Sequence, residues 1–199
     1  MYQAQRASRS EFVPVRNLSY HVRVWGQQSD TVAPLVLVHG WMDVAASWQF
    51  VVDALQAERW IIAPDWRGFG HTRLEGPAVD SYWFPDYMAD LDALLDHYAG
   101  ERKVDLVGHS MGGNIAMMYA GVRPQRIEHL VNLEGFGMPE TRPAQAPGRY
   151  AQWMDEIKTV QRGGKALKSY ADADGVASRL MKTNPRLAQD KADWLARQW

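Results

Sequence analysis

The chain has 199 residues, 46% of them hydrophobic and 23% charged, which is enough apolar material for one substantial core and sets one main domain as the expectation. A formal net charge of -1 supplies no field to attract nucleic acid or an anionic membrane, so neither is expected as a partner. The absence of cysteine excludes disulfides, thiolate catalysis and zinc-thiolate sites, and it agrees with a reducing compartment. The polar stretch Met1 to Ser10 lacks the apolar core of a signal peptide, and no apolar run nears the ~18 residues that cross a bilayer. A soluble, cytoplasmic protein is expected, with neither cofactor nor metal.

In chain order, Glu11 to Arg16 and Leu18 to Trp25 alternate apolar and polar residues around Asn17, which predicts a hairpin of half-exposed strands. Pro34 to Val38 is uniformly apolar and too short for a helix, as a strand covered on both faces would be. Ser47 is positioned to cap a helix that buries Phe50, Val51 and Leu55, and Trp60 to Ala63 predicts another buried strand. Helical spacing of Tyr87, Met88, Leu91, Leu94, Leu95 and Tyr98 follows, with Gly100 as the stop. Val104 to Val107 is a strand, Ser110 to Val122 a helix and Ile127 to Leu133 a sixth strand. Alternation of this kind calls for an α/β fold: a mostly parallel sheet with helices on both faces. Beyond Gly137 three prolines lead into helical patterns over Arg149 to Arg162, around Val176 to Lys182, and from the Asn184-Pro185 cap, with no strand between them. Residues 1–137 are therefore read as a core of six strands and residues 138–199 as a helical cap or lid.

The chemistry is carried by VDLVGHSMGGNIAMMYA, a buried strand joined to a helix through Gly108-His109-Ser110-Met111-Gly112. A serine at a sharp strand-to-helix turn has its hydroxyl pushed out at the carboxyl edge of the sheet, and Gly108 and Gly112 permit the close approach that such a turn demands. The Met111 N–H then sits at a helix N-terminus, suited to a developing oxyanion. Earlier, LVLVHGWMD ends a buried strand in His39-Gly40-Trp41, a place from which the Trp41 N–H can complete an oxyanion hole; His39 and Gly40 are read as shaping that loop.

HGW, APDWRGFGHT and VGHSMGG, in this order and at these separations, resemble the α/β-hydrolase superfamily over roughly residues 10 to 137. The resemblance implies a nucleophile elbow at Ser110 and structural hydrogen bonding by Asp65 and Arg67. It assigns no chemistry to His71 or His109.

A serine nucleophile needs a histidine to take its proton and a carboxylate to orient that histidine, in the chain order nucleophile, acid, histidine. The sixth strand ends in IEHLVNLEGFGMP, which resembles haloalkane dehalogenases that carry glutamate at this edge, followed by a Met-Pro pair as in Met138-Pro139. Glu134 is the candidate acid; the alternative is a loop-ordering carboxylate, with the acid on a later strand. Of the six histidines only His129 follows Ser110, and it lies inside the strand pattern. The resemblance therefore implies a chain cut after the cap, the first two-thirds of a hydrolase of ~280 residues, with the catalytic histidine roughly 70 to 90 residues beyond Trp199.

An aspartate nucleophile, which dehalogenases and epoxide hydrolases use, is absent from the elbow. Hydrolysis of a small, apolar ester or related acyl bond is expected, with Trp41, Trp153 and Trp194 as candidates for an aromatic-lined pocket. The reading from another class is a non-catalytic α/β-hydrolase-fold protein that binds a ligand or partner and keeps the elbow as scaffold.

Overall fold

The computed structural model describes residues 1–77, 82–137, 140–164 and 168–199. Met138-Pro139, part of the sequence resemblance, lies outside the described residues. Two compact units are present: residues 1–137 with 197–199, and residues 138–196. No helix among the described residues is long and apolar enough to cross a membrane.

In the first unit β1 (Ser8–Val15) and β2 (Leu18–Trp25) form an antiparallel hairpin in which Val15 pairs with Leu18. The expected first strand starts three residues earlier than its apolar alternation does, because Ser8 to Ser10 pair with Arg23 to Trp25 regardless of polarity. Next come β3 (Leu35–Val38), α1 (Gln49–Ala54), β4 (Ile61–Pro64), β5 (Arg73–Leu74), α2 (Phe84–Ala99), β6 (Val104–His109), α3 (Met111–Val122) and β7 (Ile127–Leu133). The sheet has the order β1-β2-β4-β3-β6-β7, with β5 paired to β2. Strands β4, β3, β6 and β7 run parallel.

Among the described residues the expected six strands become seven. The addition, β5, has only two residues, too few for any period, and it exists because Leu74 and Ser19's partner Arg73 meet the edge of β2.

Alternate side chains of β3 explain why its four residues are all aliphatic. Val36 and Val38 enter a cluster with Leu91, Leu94 and Leu95 of α2 and Ile115 of α3, whereas Leu35 and Leu37 pack with Trp48 and Val52 on the opposite face. Each such buried side chain contributes roughly 1.5–3 kcal/mol, several times a surface ion pair. Helix α2 starts at Phe84-Pro85 with the Asp86 carboxylate accepting from the Trp83 N–H (3.2 Å) and stops at Gly100, whose φ is +57°.

Helix α1 departs from expectation. Ser47 does not cap it: its hydroxyl donates to Asp43, within a 3-10 turn over Ala45–Trp48 that precedes the helix. The inward residues are Gln49 and Val52, while Val51 is exposed and Leu55 is already extended. Gln49 turns inward because its amide is fully engaged, accepting from Trp25 Nε1 (3.0 Å) and donating to the Arg6 carbonyl and Asp53 (both 2.9 Å).

The segment Asp65-Trp66-Arg67-Gly68-Phe69-Gly70 is the polar frame of this unit. Asp65 accepts from the Ala45 N–H (2.7 Å), the His71 N–H (2.9 Å) and His21 Nδ1 (2.7 Å). The loop wraps the carboxylate so tightly that a Cβ on Gly70 would lie 2.7 Å from its Oδ1, and Gly70 has φ of +54°. Arg67 forms a buried bidentate pair with Asp90 of α2 (2.6 and 2.7 Å), and Asp90 also accepts from the Tyr20 hydroxyl (3.0 Å). The structural role implied for Asp65 and Arg67 is the one observed.

The second unit holds α4 (Ala146–Gln161), α5 (Ala173–Thr183) and α6 (Gln189–Ala196). Asp172 caps α5 by accepting from the Gly175 N–H (2.9 Å). Asn184-Pro185 does not begin a helix: Asn184 accepts from the Arg186 and Leu187 N–H groups (3.2 and 3.0 Å), a local turn that delays α6 to Gln189. Ala177, Ala192 and Ala196 form a small core with Val176, Leu180 and Leu187 around it.

Burial alone would raise the Asp65 carboxyl, but the hydrogen bonds from His21, His71 and Ala45 outweigh it and hold its pKa below the ordinary value. The ionised form is thus the one that folding favours. Its contribution is complete above the unfolded pKa of about 3.9 and is lost as pH falls through the lower folded value. Asp65→Asn, which turns a donor toward donors, should cost about 1–3 kcal/mol in urea unfolding at pH 7, and the difference from the parent should shrink below pH 4.

Candidate active site

The site forms at the carboxyl edge of the parallel strands of the first unit. Strand β6 alternates buried Val104, Leu106 and Gly108 with half-buried residues up to His109, and α3 starts two residues later at Met111. Between them Ser110 has φ of +52° and ψ of -116°, a left-handed conformation that a side chain avoids unless its surroundings impose it. The imposition comes from close backbone packing. A Cβ on Gly108 would lie 2.6 Å from the Gly112 carbonyl carbon and 2.7 Å from the Gly113 nitrogen, and one on Gly112 would lie 2.5 Å from the His39 oxygen. As the first residue of α3, Met111 has no carbonyl one turn back to receive its N–H.

The loop after β3 passes directly beside this serine. A Cβ on Gly40 would stand 3.1 Å from Ser110 Cβ and 3.1 Å from His109 Nδ1, so Gly40 leaves room for the Ser110 and His109 side chains. His39 is buried and both of its ring nitrogens are engaged: Nε2 accepts from the Trp66 N–H (2.9 Å), which leaves Nδ1 to donate to the Gly40 carbonyl (2.8 Å). Trp66 Nε1 donates in turn to the His39 carbonyl (2.9 Å). Burial lowers the pKa of His39 and keeps it neutral, against the opposing pull of Asp43. With no free nitrogen, His39 orders the loop. The Trp41 side chain is exposed and meets the Phe69 ring edge-on at 5.2 Å.

Glu134 follows β7, beside the elbow. The Ser110 N–H donates to the Leu133 carbonyl (2.7 Å), which places the start of the Glu134 turn next to Ser110. Glu134 has φ of +59°, a second left-handed residue that is not glycine, and its carboxylate is 3.9 Å from His109 Nε2 with both groups solvent-accessible. The structure therefore brings together Gly40, Gly108, Ser110, Met111, Gly112 and the backbone of Glu134.

No histidine is hydrogen-bonded to Ser110 among the described residues, and the one beside it is its chain neighbour His109, whose Nδ1 borders the same Gly40 position and whose Nε2 faces Glu134. His21 serves Asp65 and Ser10, His71 packs on His21, His129 pairs with Asp105 (2.7 Å) and His97 lies against Tyr98. Among the described residues no group of His, Asp or Glu side chains is arranged to hold a metal ion. Trp153 and Trp194 belong to the second unit. Asn132 and Asn114, absent from the sequence reading, brace the Glu134 turn; the spacing Asn132-x-x-Gly135 is the signal of a side-chain-closed turn that could have found the first of them.

The family model for the alpha/beta hydrolase fold matches residues 33–192, and the chain belongs to that family. It is similar to "Serine hydrolase-like protein" of Danio rerio, 28% identical over 192 residues that cover 96% of this chain and 58% of that protein. It is also similar to "Cis-3-alkyl-4-alkyloxetan-2-one decarboxylase" of Shewanella oneidensis, 36% identical over 158 residues that cover 74% of this chain and 47% of that one. The chain thus spans about half the length of these curated relatives. Among solved structures, the "Thioesterase Domain From Curacin Biosynthetic Pathway" matches with a TM-score of 0.80 and 25% identity, covering 96% of this chain and 65% of that domain.

The close packing at the elbow gives a paired prediction on one helix. Gly112→Ala should destabilise the chain by about 1–3 kcal/mol in urea, because the new methyl meets backbone that cannot move aside. Gly121→Ala, where a Cβ meets nothing within 4 Å, should be stabilising by about 0.5–1 kcal/mol. Equal effects at the two positions would mean that the approach of α3 to β3 is looser than described.

Proposed function

We propose that the protein of which this chain is part is a serine hydrolase of small, apolar esters or related acyl bonds, acting through an acyl-enzyme intermediate. The observation that carries this reading is Ser110 held at φ of +52° between β6 and α3, with the Gly40-Trp41 loop against it. Such a turn stores strain to present a hydroxyl, and a plain strand-to-helix connection has no need of it.

In the proposed reaction the Ser110 Oγ attacks the acyl carbon while its proton passes to a histidine supplied from outside residues 1–199. The Trp41 and Met111 N–H groups hold the resulting oxyanion. Collapse breaks the bond to the alkoxy leaving group, which takes the proton from the histidine and departs as an alcohol. Water, deprotonated by the same histidine, then cleaves the acyl-serine ester to free acid and serine. Glu134 is the acid that orients the histidine and stabilises its charged form.

The substrate class follows from the apolar side chains left open in the same unit. Trp41 and Phe136 are exposed at the carboxyl edge, and Phe69 backs Trp41. They suit a hydrocarbon or aryl group, and they offer no charge for an ionic one. A cytoplasmic location and a small-molecule partner complete the proposal, supported by the cysteine-free composition and the near-neutral charge.

Covalent labelling tests the reading. A fluorophosphonate probe should modify the complete natural polypeptide at one site, and Ser110→Ala should abolish the modification. A folded protein that resists the probe would instead be a non-catalytic member of the family, with the elbow retained as scaffold.

A further inference from the structure

The turn after β7 holds Glu134 in a left-handed conformation, and one side chain closes that turn from both ends. Asn132 Oδ1 accepts from the Gly135 N–H (2.8 Å) and its Nδ2 donates to the Gly135 carbonyl (2.6 Å). The same carboxamide faces α3, the helix that Ser110 starts: its Nδ2 lies 2.9 Å from Met117 Sδ, and a Cβ on Gly113 would collide with its Oδ1. Gly135 is packed onto the first turn of that helix, where a Cβ would lie 2.6 Å from the Gly113 carbonyl carbon and 2.8 Å from the Asn114 nitrogen. Further along, Asn114 Oδ1 accepts from the Gly137 N–H (2.7 Å). The main chain adds the bond from the Ser110 N–H to the Leu133 carbonyl (2.7 Å).

The Glu134 turn is thus fastened before and after the glutamate to the helix that Ser110 starts. Nothing in a simple exit from a strand requires this. Glutamate is a poor residue for a left-handed position, and an unbraced turn would relax toward extended backbone and swing the carboxylate away.

We propose that Asn132 is the positioning residue of the catalytic acid, assisted by Asn114, and that it makes the acid turn and the nucleophile elbow one rigid piece. The proposal rests on the reading of Glu134 as the acid. Asn132 touches neither substrate nor reacting atoms. It acts by fixing where the Glu134 carboxylate meets the histidine, and that contact sets the pKa of the histidine as well as its orientation. A displaced carboxylate leaves the imidazolium less stabilised, so the histidine loses its proton at lower pH.

The test is steady-state hydrolysis of p-nitrophenyl butyrate across pH by the complete polypeptide and its variants. Glu134→Gln should lower kcat by about a thousandfold. Asn132→Ala should lower kcat by about 10- to 100-fold with KM nearly unchanged, and should move the acid limb of the profile to lower pH. Asn132→Ser, whose hydroxyl can still accept from the Gly135 N–H, should recover part of that loss. The double variant Asn132→Ala/Glu134→Gln should be no slower than Glu134→Gln alone, since the asparagine acts only through the glutamate.

A purely structural role would reduce the folded fraction and leave the acid limb in place. If Glu134→Gln is as fast as the parent, the acid assignment fails and this proposal with it. If Glu134→Gln is slow while Asn132→Ala keeps the parental kcat and acid limb, or if the two losses multiply, only the positioning role is overturned. Should Asn132→Ala not fold, Asn114→Ala carries the test with an expected fall of about 3- to 10-fold and the same shift of the limb; an unchanged kcat there overturns the proposal.

Discussion

The first turn of α3 lies so close to the end of β3 that any side chain on Gly112 would strike the Val38 and His39 carbonyl oxygens. Every feature of the site depends on that approach. It forces the chain to turn between β6 and α3 within one residue, and Ser110 takes the left-handed backbone that the turn requires. It puts the amino end of α3 beside the loop that follows β3, where Gly40 faces Ser110. A non-glycine residue in this conformation costs about 1–3 kcal/mol, and the aliphatic clusters on both faces of β3 supply a much larger stabilisation that keeps it in place.

A second, polar layer maintains the loops. Asp65 gathers the turn after β4, the 3-10 turn before α1 and the hairpin residue His21 onto one carboxylate. His39 links the next residue, Trp66, to the loop beside Ser110 by accepting two hydrogen bonds from it, one at Nε2 from the Trp66 N–H and one at its carbonyl from Trp66 Nε1. The Asp65 network and the elbow are therefore continuous through two residues. The strained serine is held by packing beneath it and by buried hydrogen bonds at its side, and the Asn132 carboxamide supplies the corresponding brace on the β7 side.

What could be read from the sequence follows from where the physical constraint is written. Close backbone approach is written as glycine at fixed offsets, so Gly108, Gly112 and Gly40 identify the elbow and its neighbouring loop without a structure. Two-sided burial is written as uninterrupted aliphatic runs, which identify β3 and β4. The failures have the opposite character. Strand β5 is two residues long and carries no period. Helix α1 is read with the wrong face because hydrophobicity cannot anticipate that Gln49 is drawn inward by Trp25, Arg6 and Asp53. Asn184-Pro185 has the composition of a helix start, yet its own side chain closes a turn first. The bracing of Glu134 depends on residues that meet only when β7 and α3 lie side by side. The burial of Asp90 against Arg67 is hidden in the same way, because at sequence level it is one of several acids on an amphipathic helix.

The central claim is that Ser110 and the N–H groups of Trp41 and Met111 form one reaction centre at the carboxyl edge of the sheet. A crystal structure of the complete polypeptide inactivated with a methyl alkylphosphonate tests it most directly. The account predicts phosphorus bonded to Ser110 Oγ, with the phosphoryl oxygen about 2.7–3.1 Å from both amide nitrogens and the alkyl chain against Trp41. A phosphonate attached to any other residue, or one on Ser110 with its oxygen turned away from these two amides, would contradict it.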